Sequence, residues 1–246
     1  MFVKARERFR EEVGGLARSL PKLKSIQQKL ADNRAGGKNS SYTVETPVVY
    51  NSALDGFTID DEIKLILVAD NPGRREQAAE NRRYLVGPSG KIAMKFFRDN
   101  PPLGIDFLKN VIILNKTPIH SPRTVELREL CRMEAQTGDG AISIALVESQ
   151  KKMAALLLEF HEALGTPVWI TGYSEMKKGG IFEVYTESLK ELYSKRQEMF
   201  KQIYFYRHFS MNQFTIDLKQ QSLPGETLAK SLRRIGTAYR KRILNF

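Results

Sequence analysis

A layered α/β fold, helices on both sides of a central and mainly parallel four-stranded sheet, is predicted by three features of this sequence. Two short aliphatic runs, IKLILVAD (63–70) and NVIILN (110–115), have the continuity of strands buried on both faces. Two further runs, TPVWITG and IYFYRHF, read as strands at about 167–171 and 203–208. Segments with helical spacing separate them, and strands alternating with helices point to a three-layer α/β/α arrangement.

Each element follows from its residues. Residues 1–33 carry apolar positions at helical spacing on both sides of Pro21, so positions 1–40 are expected to form a helical amino-terminal extension. NRAGGKNSS (33–41) is a loop by composition. GKIAMKFFRDN, after the first strand, is expected to be a helix with Ile92, Met94, Phe96 and Phe97 on its inner side. Residues 141–164 form a long helix with Met153, Leu156, Leu157, Phe160 and Leu164 on one side. ESLKELYSKRQEMF is a charged helical segment between the third and fourth strands, and 219–246 reads as a basic amphipathic helix. The whole chain, 1–246, is expected to be one domain.

Composition narrows the partners. Hydrophobic residues at 41% and charged residues at 27% are ordinary for a soluble globular chain. No apolar run approaches the ~20 residues needed to span a bilayer, and MFVKARERFREEV has no signal-peptide core, so a cytoplasmic location is expected. Cys131 is the only cysteine, which excludes an internal disulfide and a cluster held by several cysteines of one chain. The formal charge is +11. Residues 219–246 contain Lys219, Lys230, Arg233, Arg234, Arg240, Lys241 and Arg242 against the single acid Glu226. Such an excess suits a polyanionic partner; a solvated basic surface that aids solubility accounts for it as well.

The polar residues at the strand ends carry the chemistry. In open parallel sheets ligands bind beyond the carboxyl ends of the strands. Here the first strand runs into Asp70-Asn71-Pro72-Gly73, the second ends in Asn115, and the fourth in His208. Taken singly, each has a plainer reading. Asn-Pro-Gly is a common turn, Asn115 can bond its own backbone, and His208 can be a satisfied structural histidine. His120 lies in a loop and His161 within a helix, and no pair of histidines has metal-ligand spacing, so a zinc site is not expected. GPSGK (87–91) fails the phosphate-loop pattern, because Leu85 and Ile92 stand where glycine and Ser or Thr are required.

Taken in order, these pieces resemble the uracil-DNA glycosylase superfamily. Its first motif is a buried strand entering a short turn (GQDPY, GMNPG, GINPG or GEAPG); here it reads ADNPG, Ala69 to Gly73. RYLVGPSG (83–90) stands where the iron–sulfur branch has PFVGxxG, and IILN ending in Asn115 where another branch has LLLN. VWITGYSEMKKG looks like WGSYAQKKG, HFSM (208–211) stands for HPSP, and VVYNSAL (48–54) looks like a segment of the single-strand-selective branch. The likeness spans roughly residues 45–218 and is nearest the single-strand-selective and mismatch-specific branches, whose motif also has Asn-Pro-Gly. Ala69 replaces the usual glycine, Leu85 the expected phenylalanine and Phe209 the proline.

The resemblance implies a monofunctional glycosylase that cleaves the N-glycosidic bond of uracil, or a related deaminated base, flipped out of single- or double-stranded DNA. It implies a water aimed by Asn71, with Asp70 a second candidate for that role, and a hydrogen bond from neutral His208 to the leaving base. Asn115 would read the base edge, and Tyr84 or Leu85 would supply the wall beside it. Gly73 and Ser89 are expected near the DNA, Ser210 on a phosphate, and Met211 or Phe214 as a wedge in the vacated stack. A monomer without metal or cofactor is expected. A catalytically silent DNA- or nucleotide-binding relative, and a glycosylase for hypoxanthine or xanthine, are the alternatives.

Overall fold

The structure, a computed structural model, describes residues 1–33, 42–136, 138 and 140–244. Apart from Asn33, the loop expected at 33–41 lies outside the described residues. Four parallel strands, β1 (Leu65–Ala69), β2 (Val111–Asn115), β3 (Val168–Thr171) and β4 (Ile203–Tyr206), form one sheet in the order β2-β1-β3-β4. Register pairs Ala69 with Asn115 and Thr171 with Tyr206, so the carboxyl ends of neighbouring strands lie level.

Alternation along the strands builds two cores. Ile66, Val68, Ile112, Leu114, Val168, Ile170, Ile203 and Phe205 face one side and join the larger hydrophobic cluster. This side is covered by α1 (Phe2–Ser19), α5 (Ala141–Leu164) and α6 (Glu183–Tyr193). Leu65, Leu67, Ala69, Val111, Trp169 and Tyr206 face the other, against α3 (Pro88–Asp99) and α8 (Gln213–Gln221). Helices on both faces make a three-layer α/β/α fold, and they explain why β1 is buried at every position.

The remaining helices are α2 (Leu23–Asn33), α4 (Glu126–Ala135), α7 (Gln197–Lys201) and α9 (Leu228–Leu244). The first two helices meet at Pro21 as expected, but α1 is no mere extension: Phe2, Ala5, Phe9 and Val13 are buried in the main core. The basic segment 219–246 is not one helix as expected: its first residues close α8, which ends at Gln221, and α9 begins at Leu228. On α3 the buried side chains are Ala93, Phe96 and Phe97, whereas Met94 is exposed, a departure from the inner face expected for it.

Topology places a crevice. The chain leaving β1 runs through α3 on one face, while the chain leaving β3 runs through α6 on the other, so the connections part between the carboxyl ends of β1 and β3. No helix among the described residues is long and apolar enough to cross a membrane.

Helix α9 lies against β4 at contact distance because position 236 has no side chain. A Cβ on Gly236 would sit 2.6 Å from Tyr204 Cβ and 2.7 Å from the Tyr206 hydroxyl. The Tyr206 hydroxyl donates to Leu232 O at 2.9 Å, and the buried Arg240 guanidinium donates to Phe200 O and Ile203 O. An exposed mid-helix Gly→Ala change stabilises by about 1 kcal/mol. Gly236→Ala is expected instead to destabilise by about 1–3 kcal/mol through overpacking, read as a lower denaturation midpoint.

Candidate functional site

The corner after β1 is stitched to the segment that follows β2. Lys116 N–H donates to Ala69 O and Asp70 O, and Ser121 N–H to Pro72 O at 3.1 Å. His120 is fully buried, with Nδ1 2.9 Å from Pro72 O and Nε2 2.8 Å from the Tyr42 hydroxyl. A carbonyl can only accept, so Nδ1 carries the proton and Nε2 accepts from Tyr42. Burial pushes the imidazole down to about 4, which keeps it neutral. His120, a loop residue by its sequence context, is therefore the brace of the Asn-Pro-Gly corner.

Behind the corner lies a buried ion pair that the sequence reading missed. Lys116 Nζ is 2.5 Å from Asp70 Oδ1 and 2.6 Å from Thr171 O, and its side chain has no solvent exposure. Burial lowers the ammonium's pKa and Asp70 opposes the shift. The signal was a lysine embedded in ILNKTPI, where an apolar setting on both sides implies burial with a partner. Gly172, at φ +77°, makes room for the pair: a Cβ there would fall 2.4 Å from Asp70 Oδ1.

Asp70, Asn71, Asn115 and His208 line one cleft of about 610 Å³ at the carboxyl ends of the strands. Asn71 Nδ2 donates to Ser121 O and Ser121 Oγ, both at 3.0 Å, and to Pro72 O. Those carbonyl acceptors set the amide's orientation and turn Oδ1 toward Thr124, whose hydroxyl lies 3.1 Å from it and 3.2 Å from Asp70 Oδ2. Asn115 is 2% exposed, and among the described residues its buried Oδ1 has no hydrogen-bond partner. His208 Nδ1 accepts from Ser210 N–H at 2.9 Å, which leaves the proton on Nε2. Burial holds this imidazole below its ordinary 6.5, although the Asp70 charge opposes it. The cleft thus contains a donor, an oriented amide and an unsatisfied buried acceptor.

Leu85, Gly87 and Ser89 form the facing wall. Leu85 is buried in the left-handed region at φ +53°, a costly conformation for a branched side chain and one that clusters at functional sites. Its carbonyl occupies the space beside Gly90, where a Cβ would lie 1.4 Å away. Glu76 also lines the cleft, its carboxylate accepting from Gly87 N–H at 3.2 Å. Burial raises its pKa against the pull of the backbone donors of Glu76, Gly87, Gly73 and Val86. It ties Gly73, another lining residue, to the amino terminus of α3.

Three expectations are corrected. Tyr84 does not face the cleft: it is 2% exposed, packs on Phe9, and donates its hydroxyl to Val49 O at 2.6 Å. Leu85 itself, in its left-handed turn, lines the cleft instead, and among the described residues no Phe, Tyr or Trp ring does. Phe214 is a core residue stacked on Phe209, not a surface wedge. Strand β4 stops at Tyr206, so His208 enters from the following loop. In that loop Ser210 lines the cleft, and Met211, at φ +54°, is 80% exposed beside Asn212, also left-handed.

Among the described residues no group of three His, Cys, Asp or Glu is placed to hold a metal ion. Lys116→Met strands Asp70 without its counter-charge and is expected to cost about 3 kcal/mol; Lys116→Met/Asp70→Asn should recover part of it in the same denaturant titration. For His120, the folded-state value near 4 lies below the ordinary 6.5, so the unfolded chain takes up a proton first as pH falls. Between pH 6.5 and about 4 this residue should remove about 1.4 kcal/mol of stability per pH unit, a contribution missing from His120→Gln, whose slope is shallower by that amount. Comparisons of the chain with protein-family models, with curated proteins and with solved structures give no match.

Proposed function

We propose that the cleft is the active site of a monofunctional DNA glycosylase that hydrolyses the N-glycosidic bond of uracil, or a related deaminated base, in base-excision repair. The observation that carries this reading is the orphan Oδ1 of Asn115, buried in the same hollow as Asn71 and His208. A buried polar atom without a partner costs about 1–3 kcal/mol, and a bound ligand that donates to it removes the cost. Uracil offers N3–H to that oxygen and O4 to the amide nitrogen. Cytosine presents the reverse pattern, so the same amide rejects it.

Cleavage builds positive charge on the sugar and negative charge on the base. Asn71, its nitrogen held by Ser121, presents a carbonyl oxygen that can orient a water at the sugar carbon. His208, with its proton on Nε2, donates to the leaving base and disperses the developing charge. Asp70 stands behind both as a fixed charge rather than a base, because Lys116 and Thr124 engage its two oxygens. Met211, exposed on a strained loop, supplies the apolar tip that fills the stack after the nucleotide leaves. Arg74, Arg75 and Arg123 along the cleft suit the phosphate backbone.

The missing aromatic wall favours a broader range of bases. With Tyr84 turned into the core, no ring stands against a 5-methyl group or a second ring, so hypoxanthine is an expected substrate alongside uracil.

The test is excision from oligonucleotides carrying uracil, thymine, hypoxanthine or xanthine, in single and double strands. Asn71→Ala and His208→Ala should each slow excision by about 10²–10³-fold under single-turnover conditions. Asn115→Ala should lose about 10- to 100-fold of its preference for uracil over cytosine. A wild type that binds these oligonucleotides and releases no base from any of them would leave only a binding role. Because burial holds His208 below 6.5, its neutral form persists as pH falls through that value. The rate should stay level there and fall only at lower pH; a rate that rises on acidification would mean an imidazolium donor.

A further inference from the structure

The cleft continues past His208. Gly172, Ser174, His208 and Gln213 belong both to it and to an adjoining hollow of about 180 Å³. The hollow's other lining residues are Tyr173 and three cations, Lys177, Arg207 and Arg242. The cations come from three distant parts of the chain, the turn after β3, the residue following β4, and the last turn of α9. No acidic side chain lines the hollow; Glu175, which lines the cleft, does not reach it. Arg207 is held from behind, its Nε 3.3 Å from Asp217 Oδ1. Among the described residues neither Lys177 nor Arg242 has an ion-pair partner.

Like charges gathered in a concavity repel one another, and an anion in the middle relieves that repulsion. Ser174 and Gln213 add hydrogen-bonding side chains to the same wall. We infer that the hollow is a phosphodiester subsite, holding a backbone phosphate of the strand that delivers its nucleotide to the cleft. This inference rests on the reading of the cleft as a nucleotide site. It gives the basic α9 a definite role, in which Arg242 closes the hollow while Leu232, Ile235 and Ile243 anchor the helix in the cores.

The test pairs a protein change with a DNA change. Lys177→Gln/Arg242→Gln removes two exposed cations, and Lys24→Gln/Lys195→Gln removes the same charge from positions outside the cleft and hollow. Binding of a short single-stranded oligonucleotide with one uracil is followed by anisotropy across roughly 50–300 mM KCl. Each flanking phosphate is replaced in turn by a neutral methylphosphonate. One linkage near the uracil should cost the wild type and the control variant about ten-fold in affinity, yet cost Lys177→Gln/Arg242→Gln almost nothing further. The salt slope of that variant should be shallower by about 0.7 for each phosphate it no longer neutralises. Equal losses in both variants, or a methylphosphonate penalty that Lys177→Gln/Arg242→Gln retains at every linkage, would overturn the subsite. Excision of uracil on the same oligonucleotides separates the two ideas. A linkage-specific loss without excision keeps the subsite and removes the glycosylase; excision without that loss does the reverse.

Discussion

The Lys116 ammonium, with no exposure to solvent, joins three strand ends. Its own backbone follows β2, its Nζ contacts Asp70 after β1, and the same Nζ donates to Thr171 O at the end of β3. An uncompensated charge in this position would be prohibitive, so the three ends hold together as a unit. Asn71 follows Asp70 directly and Asn115 precedes Lys116 directly, so the two amides inherit their spacing from the ion pair. The cleft is in this sense a by-product of neutralising one buried lysine.

Close approach at this pair and along the facing wall depends on a few special backbone positions. Gly172 leaves the space that the Asp70 carboxylate fills, and Gly90 leaves the space for the Leu85 carbonyl. Leu85, Met211 and Asn212 take left-handed conformations that side chains rarely adopt. Strain of this kind persists only where surrounding packing over-determines it. Leu85 is held by its buried apolar neighbours and Phe209 by Phe96 and Phe214, so rigid packing brackets each strained stretch. The same packing presents Met211 to solvent.

The polar groups of the cleft are complementary in what they lack. Asn71 has its nitrogen satisfied and its oxygen beside the Thr124 hydroxyl, with room for a second donor; Asn115 has a buried oxygen unsatisfied among the described residues; His208 has its acceptor nitrogen occupied and its donor left for the cleft. Neutrality of both His120 and His208 has one cause, burial, and it serves different ends: one imidazole braces a turn, the other remains a donor. Leaving the Asn115 oxygen buried without a partner among the described residues is destabilising, and a ligand that donates to it offsets that cost.

Much of this architecture is legible in the sequence. Strands buried on both faces read as unbroken aliphatic runs, and β1 and β2 are plain for that reason. The convergence of Asp70, Asn71, Asn115 and His208 follows from one topological regularity, that parallel strands present their carboxyl ends on a single rim. Side-chain partners are not legible. Lys116 and Asp70 are 46 positions apart, and His120 and Pro72 are 48 apart, so no local pattern announces either pairing. Of the two residues expected at the wall, Leu85 lines the cleft in a left-handed conformation and Tyr84 is buried in the core, a choice that no local pattern announces. Periodicity and burial are properties of short stretches and belong to the sequence. Charge pairing, orphaned atoms and the hollow behind His208 arise only where distant stretches meet, and tertiary structure alone decided them.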